Sequence, residues 1–263
     1  LVEVTQAVHA QVVDSQSPDL AAGFTKLFNA VCSHIGPHKA HEAEQTLSEA
    51  GYFTVFLECE LAQRATNIGR PTDDTPETDR ATYASRKLSL SRCLANTGRH
   101  DEALKAAREA TNLFRVLEGQ NPAAYTPDLA MSLNNLANHL DSNGQQREAL
   151  KTAQEAVTIR RNLAEHNPAA YTPDLATSLN NLAIYLDSNG QQREALTTAQ
   201  EATNLYQELV SEHFRTFSSR FVTALATYAS ILDQSGNSEK AVRIRQERDE
   251  VLKRMKEMEE DDA

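Results

Sequence analysis

Tryptophan is absent from this sequence, and glycine and proline are scarce, with 9 and 8 copies in 263 residues. An all-β sandwich needs a turn about every 8–12 residues, so this shortage of turn-forming residues counts against one. No apolar run reaches the ~18 residues that would cross a bilayer. The hydrophobic content of 40% is nevertheless ample for a core, which argues against wholesale disorder.

Positive charge is also in short supply, because 26 Lys and Arg stand against 37 Asp and Glu, for a formal net charge of −11. Binding to nucleic acid phosphates needs a surplus of basic residues on some face of the protein. An anionic membrane surface makes the same demand. We therefore expect neither nucleic acid nor a membrane among the partners.

Only three cysteines are present, Cys32, Cys59 and Cys93, and their spacings match no zinc or redox motif. The sequence has no Asn-x-Ser/Thr sequon, and its opening stretch lacks the basic start and apolar core of a signal peptide. These features predict a reducing compartment, so we expect a cytoplasmic location. Since the first residue is Leu and not Met, we expect the chain to be a piece of a longer protein.

The dominant feature of the sequence is an internal repeat of 46 residues. Asn121–His166 and Asn167–Glu212 are identical at 33 of 46 positions. Glycines recur at the same interval and extend the pattern to four units, although only the middle two are near copies. These glycines are Gly98, Gly144, Gly190 and Gly236.

Each unit is predicted to form two helices with its glycine in the turn between them. Leucines spaced three or four residues apart precede Gly144, which places them on one helix face. Pro127-Asp128 is expected to open this helix, at the end of an NPAAYTPD stretch that connects the units. We expect helix pairs at about residues 79–118, 126–165, 172–211 and 217–258.

Small residues mark the second helix of each unit. Alanine recurs five, nine and twelve positions after the glycine, as in Ala149, Ala153 and Ala156, so that a neighbouring helix can approach closely. In the last unit arginine replaces two of these alanines, at Arg245 and Arg248. We expect that helix to be a polar cap, with no following repeat to pack against.

The unit resembles a tetratricopeptide repeat of the long kind found in kinesin light chains. The resemblance covers about residues 79–258 and implies an all-α fold, a right-handed superhelical solenoid of antiparallel helix pairs. The period of 46 is longer than the usual ~34 residues. The matching residues are Leu133, Leu136, Ala137, Leu140, Gly144, Glu148, Ala149, Leu150, Ala156 and Pro168.

The rest of the chain is divided by composition. Residues 1–68 contain segments of helical character, which we expect to cap or extend the solenoid. Residues 69–78, GRPTDDTPET, are a predicted polar loop. The four units occupy 79–258, and 259–263 form an acidic tail that we expect to fray.

No motif for nucleophilic catalysis or phosphate binding accompanies the repeat, so we expect neither enzymatic activity nor a cofactor. The residues Cys32, His34, His38 and His41 are of metal-binding types. Their spacing crosses an expected helix break and fits no standard zinc site, so a polar helix junction is the favoured interpretation and no metal is expected.

Asparagines are the best candidates for contact with a ligand. The resemblance implies that the first helix of each unit lines a concave wall, where asparagines of kinesin light chains hold the backbone of a cargo peptide. Asn135 and Asn181 match that role best, because an amide can pair with a peptide N–H and C=O together. The alternative is that the asparagines tie the first helix to the next connector. The wider expected set is Asn134, Asn138, Asn180, Met131, Thr177 and Arg92.

Charges along the same helices limit the choice of ligand. The inner positions are largely neutral, and Arg92 is the one basic member of the set. Asp141, Asp187 and Asp233 recur near the end of the first helix. They could bind a basic partner or satisfy the turn, and the turn is the favoured interpretation.

Two functions are compatible with these features. The first is a non-catalytic protein–protein interaction scaffold that binds a peptide or a partner domain in the concave groove. The alternative is a regulatory or sensor arm of a larger switch protein, with a nucleotide-binding or caspase-like peptidase module outside this fragment. In the first case the ligand is another protein or peptide, and in the second it is another domain of the same full-length chain.

Overall fold

The computed structural model describes Cys59, Gln63, Thr66, residues 71–72 and residues 74–261. Within this part of the chain all regular structure is helical and there is no strand, which confirms the all-α class. The expected helices before Cys59 and the cysteine–histidine group at 32–41 lie outside the described residues.

Eight helices follow one another in the described part of the chain. They form four pairs, which we number repeats 1 to 4, and the glycine of each pair lies in its turn with φ between +71° and +79°. The predicted equivalence of the four turns is thereby confirmed. The helices are α1 (Glu77–Asn96), α2 (His100–Gln120), α3 (Pro122–Ser142), α4 (Gln146–His166), α5 (Pro168–Ser188), α6 (Gln192–Glu212), α7 (Phe214–Gln234) and α8 (Ser238–Asp261).

The first helix of each middle repeat begins earlier than the sequence predicted. α3 begins at Pro122, so Pro127 lies inside the helix and the supposed connector forms its first turns. α5 likewise begins at Pro168, and the Asn167 side chain accepts a hydrogen bond from the Ala170 N–H at 3.3 Å. The prediction that Pro127 opens the helix is wrong, because an inner proline near the start removes only one bond of the helical ladder while the preceding proline needs no N–H.

The described residues fall into two compact units, divided after Pro122. In the N-terminal unit α1 packs along α2, and Leu94 and Ala103 share a core with Cys59 and Cys93. In the C-terminal unit, consecutive helices from α4 to α8 pack against one another, and α5 also contacts α7. The C-terminal unit therefore holds repeats 2 to 4, including the two near-identical copies.

The alanines of the second helices are buried, as the spacing predicted. Ala153 and Ala199 are 2% and 1% exposed, and the alanines three positions later are fully buried. Ala241 is the only buried residue of α8 among its described side chains, so this helix has the polar character expected of a terminal one. Arg245 is half-buried and its guanidinium forms an ion pair with the Asp233 carboxylate of α7.

Gly144→Ala is expected to lower the free energy of unfolding by about 1–2 kcal/mol, because its φ of +71° lies in the left-handed region that L side chains avoid. An added Cβ would meet no other atom within 4 Å, so backbone strain is the whole effect. Gly119→Ala in α2 is the matched control, since it has equal space but helical backbone, where alanine is favoured by roughly 0.5–1 kcal/mol. Urea unfolding of both variants measures the difference, and an equal loss in both would contradict the turn assignment.

Candidate functional site

The predicted asparagines lie on α3 and α5, the first helices of repeats 2 and 3 in the C-terminal unit. Asn134 and Asn180 are buried, each with 8% of its surface exposed. Asn135 and Asn181 are half-buried, and Asn138 is exposed. The helical spacing thus divides the amides into a buried pair and a set that reaches the surface.

Three of these asparagines join α3 to α5, and with Ser178 and Tyr185 they form what we call the asparagine ladder. The Ser178 hydroxyl donates to Asn134 Oδ1 at 3.0 Å, and Asn181 Nδ2 donates to the same oxygen at 3.3 Å. Asn138 Oδ1 accepts the Tyr185 hydroxyl and lies 3.4 Å from Asn181 Nδ2. These amides therefore join helix to helix, where the structural alternative had expected a bond to a connector.

A buried arginine extends the asparagine ladder to α4. Arg160 is 5% exposed, and its Nη1 donates to the Asp174 carbonyl oxygen at 2.7 Å and to Ser178 Oγ at 2.6 Å. Burial lowers the pKa of the guanidinium from its ordinary value, against the opposing effect of the Asp174 carboxylate. Sequence reasoning missed this residue, although the signal was present, because the same repeat position holds Phe114 and Tyr206.

Asn135 is half-buried on α3, and its amide lies outside the asparagine ladder. Asn135 has no hydrogen-bond partner among the residues that the structure describes. Met131 precedes it by four residues and Asn138 follows by three, which places all three on one face of α3. The same positions recur on α5, and the apolar members Met131 and Ile184 are 40% and 39% exposed. We call this set the inner face, and it consists of Met131, Asn135, Asn138, Thr177, Asn181 and Ile184.

Thr177 and Arg92, which were also predicted as site residues, have surroundings unlike those of the asparagines. Thr177 Oγ1 donates to the Pro173 carbonyl oxygen at 2.9 Å and lies 2.7 Å from the Tyr206 hydroxyl, so its hydroxyl is already engaged. Burial raises the pKa of that tyrosine above its ordinary value. Arg92 is exposed on α1 in the N-terminal unit, and its participation in ligand binding stays a prediction.

The recurrent aspartates do not satisfy the turns with their side chains. At the first of them, the Gly144 N–H donates at 2.8 Å to the backbone carbonyl of Asp141. The carboxylates of Asp141 and Asp187 make no hydrogen bond within the described part of the chain. The structure thus does not support the favoured turn interpretation, and Asp233 instead pairs with Arg245.

Among the described residues no group of three or more His, Cys, Asp or Glu side chains is placed to hold a metal ion. None of the helices described is both long and apolar enough to cross a membrane.

The tetratricopeptide-repeat family model matches residues 129–168 and 175–215, each match starting at the first buried leucine of a repeat and running through its turn and second helix. Repeats 2 and 3 are tetratricopeptide repeats. A comparison with curated proteins gave no match.

Solved structures of several other proteins share this fold. A point variant of a putative kinesin light chain from Podosopora anserina, with nearly identical TPR-like repeats, has a TM-score of 0.60 at 17% identity, over 84% of this chain and 94% of that one. BtubC from P. vanneervenii has a TM-score of 0.65 at 14% identity, over 95% and 92% of the two chains. The Rap conjugation gene regulator of plasmid pLS20, solved with the Phr* peptide, has a TM-score of 0.53 at 12% identity, over 77% and 50%. These likenesses establish a helical solenoid.

Proposed function

We propose that the inner face binds an extended peptide segment of a partner protein, so that the chain acts as a non-catalytic interaction scaffold. The Asn135 amide carries this proposal, because it is half-buried on the inner face and has no partner within the described residues. An amide presents a donor and an acceptor that match the N–H and C=O of an extended backbone. The exposed side chains of Met131 and Ile184 add apolar contact area.

Tetratricopeptide repeats support this function, because stacked helix pairs present extended surfaces that suit binding. The structurally similar Rap regulator of pLS20 was solved with a peptide bound, which agrees with a peptide as the ligand class. The acidic net charge of −11 agrees with a protein ligand and not with nucleic acid or an anionic membrane. The regulatory arm of a larger switch protein stays a prediction, as does the cytoplasmic location.

Asn181 has a different role from Asn135 in this proposal. Its Nδ2 already donates to Asn134 and Asn138, so the side chain helps to set the spacing of α3 and α5. Its Oδ1 accepts no hydrogen bond within the described residues and remains available to a peptide N–H. The two equivalent amides therefore separate into one that is free to bind and one that also stabilises the solenoid.

Asn135→Ala is expected to weaken peptide binding about tenfold, or ~1.4 kcal/mol. Two amide hydrogen bonds are lost, each worth ~0.5–1.5 kcal/mol. The melting temperature should stay unchanged, since Asn135 has no partner within the described part of the protein. The ligand is a labelled peptide selected from a random dodecapeptide library on the wild-type chain, and its dissociation constant is measured by fluorescence polarisation.

Asn181→Ala is the matched control, because it breaks bonds of the asparagine ladder and should lower the melting temperature as well as affinity. If Asn135→Ala bound the peptide normally but melted much earlier, that asparagine would be structural and the binding surface would have to lie elsewhere. Failure of the wild-type chain to select any peptide would contradict the scaffold function itself.

A further inference from the structure

Repeats 2 and 3 are near copies, yet their first helices contact the next first helix differently. We call the line of contact between α3 and α5 the α3–α5 seam, and that between α5 and α7 the α5–α7 seam. In the α3–α5 seam, Asn134 Oδ1 accepts two hydrogen bonds, from Ser178 and Asn181. Asn180 is the equivalent of Asn134 on α5, and the positions equivalent to its two donors on α7 are occupied by Ala224 and Thr227. The α5–α7 seam thus lacks the side-chain pattern that closes the α3–α5 seam.

Two acceptor oxygens on α5 are unpaired within the described residues. Asn180 is 8% exposed, and its buried Oδ1 has no hydrogen-bond partner in the part of the chain that is described. Asp187, two turns further along, has a buried Oδ1 that is unpaired within the same residues. Ala176, one turn before Asn180 on the same face, packs with Phe221 and Ala224, so this face of α5 is directed towards α7. Unpaired buried acceptors are rare in native proteins and call for an explanation.

An exposed apolar side chain separates the two oxygens. Ile184 is 39% exposed and takes the place that Asn138 has in repeat 2. Asn180, Ile184 and Asp187 follow at intervals of four and three residues, so they share one helix face. The two acceptors stand about 10 Å apart along the helix axis, by the rise of an α-helix. This face therefore carries a buried amide oxygen, an exposed apolar side chain and a half-buried carboxylate in that order.

The chain itself shows what an aspartate at this repeat position can bind. Asp233, the equivalent of Asp187 in repeat 4, forms an ion pair with the guanidinium of Arg245. Arg245 lies nine residues after its turn glycine, the position that repeat 3 fills with Ala199. Repeat 3 must keep the alanine because the next repeat packs there, so its aspartate has no arginine at that position.

We propose that the α5–α7 seam binds a lysine or arginine side chain of the partner peptide. Asp187 pairs with the cation, and Ile184 contacts the aliphatic stem. Long basic side chains are suited to such a site, because their stems cover apolar surface while their charged heads reach a carboxylate. The inference rests on the proposed peptide-binding function and adds the chemical class of one ligand residue.

The test uses the full chain and four pools of labelled, acetylated and amidated dodecapeptides. The pools carry a fixed central arginine, lysine, glutamine or glutamate among random uncharged residues. We expect the arginine and lysine pools to bind at least tenfold more tightly than the glutamine pool in low salt, with a smaller advantage in 0.5 M NaCl because salt screens the charges. Asp187→Asn should abolish this advantage, and Asp141→Asn, the same change in repeat 2, should preserve it.

A second variant tests the same site without relying on the folding of Asp187→Asn. Ile184→Asn copies the residue of repeat 2 and should reduce the advantage of the basic pools without a change in melting temperature. Equal binding of the basic and glutamine pools, or an equal effect of Asp187→Asn and Asp141→Asn, would overturn the basic-residue assignment while the scaffold function stood. Absence of binding by every pool would overturn both.

Discussion

Arg160→Ala is expected to lower the free energy of unfolding by about 3 kcal/mol, the largest effect of any single change considered. The guanidinium holds the Asp174 carbonyl and the Ser178 hydroxyl, and Ser178 in turn donates to Asn134. Truncation would leave a cavity and would remove the donor at one end of a chain of hydrogen bonds that connects α4, α5 and α3. Urea unfolding followed by far-ultraviolet circular dichroism measures the loss.

Two control variants distinguish the effect of losing a buried side chain from the effect of losing a positive charge. Arg161→Ala removes an exposed arginine that pairs with Glu201 at 2.6 Å, and such surface pairs contribute only ~0–1 kcal/mol. Arg160→Tyr introduces the residue that repeat 3 has at the same position, Tyr206, and should lose less stability than Arg160→Ala, since the larger side chain leaves less of a cavity. A loss for Arg160→Ala no larger than that for Arg161→Ala would contradict the role of Arg160 in the asparagine ladder.

Ala153→Leu and Ala199→Leu are each expected to destabilise the protein by roughly 1–3 kcal/mol, because added methyl groups overpack a filled helix interface. Both alanines are almost completely buried. The corresponding change in repeat 4, Arg245→Leu, should have a much smaller effect, since that side chain is 39% exposed and its ion pair with Asp233 is near the surface. Thermal and urea unfolding of the three variants provide the comparison. Equal destabilisation at all three positions would contradict the assignment of α8 as the terminal helix.

The repeat in the sequence was sufficient to predict the helix pairs. A glycine every 46 residues between stretches of helical period required four equivalent turns, and all four glycines have a positive φ. The alanine spacing required close helix approach, and those alanines are buried. Both predictions succeeded because they depend on local backbone conformation and on residue size, which the sequence carries directly.

Three features of the structure were not predicted from the sequence. The start of α3 was misplaced because a proline such as Pro127 is ambiguous between a helix start and a tolerated position in an early turn. Asn135 and Asn181 are equivalent in sequence, but only the three-dimensional contacts distinguish the free amide from the one that bridges two helices. Arg160 escaped notice because its partners lie 14 and 18 residues away on another helix.

The most direct test of an inner-face binding site is site-specific photo-cross-linking to the selected dodecapeptide. A benzophenone amino acid replaces Met131 on the inner face of α3 in one variant, and Thr158, an exposed residue of α4, in the other. We expect mass spectrometry to find a peptide adduct at position 131 and none at 158. An adduct at 158 alone, or equal adducts at both positions, would contradict a peptide bound along the inner face.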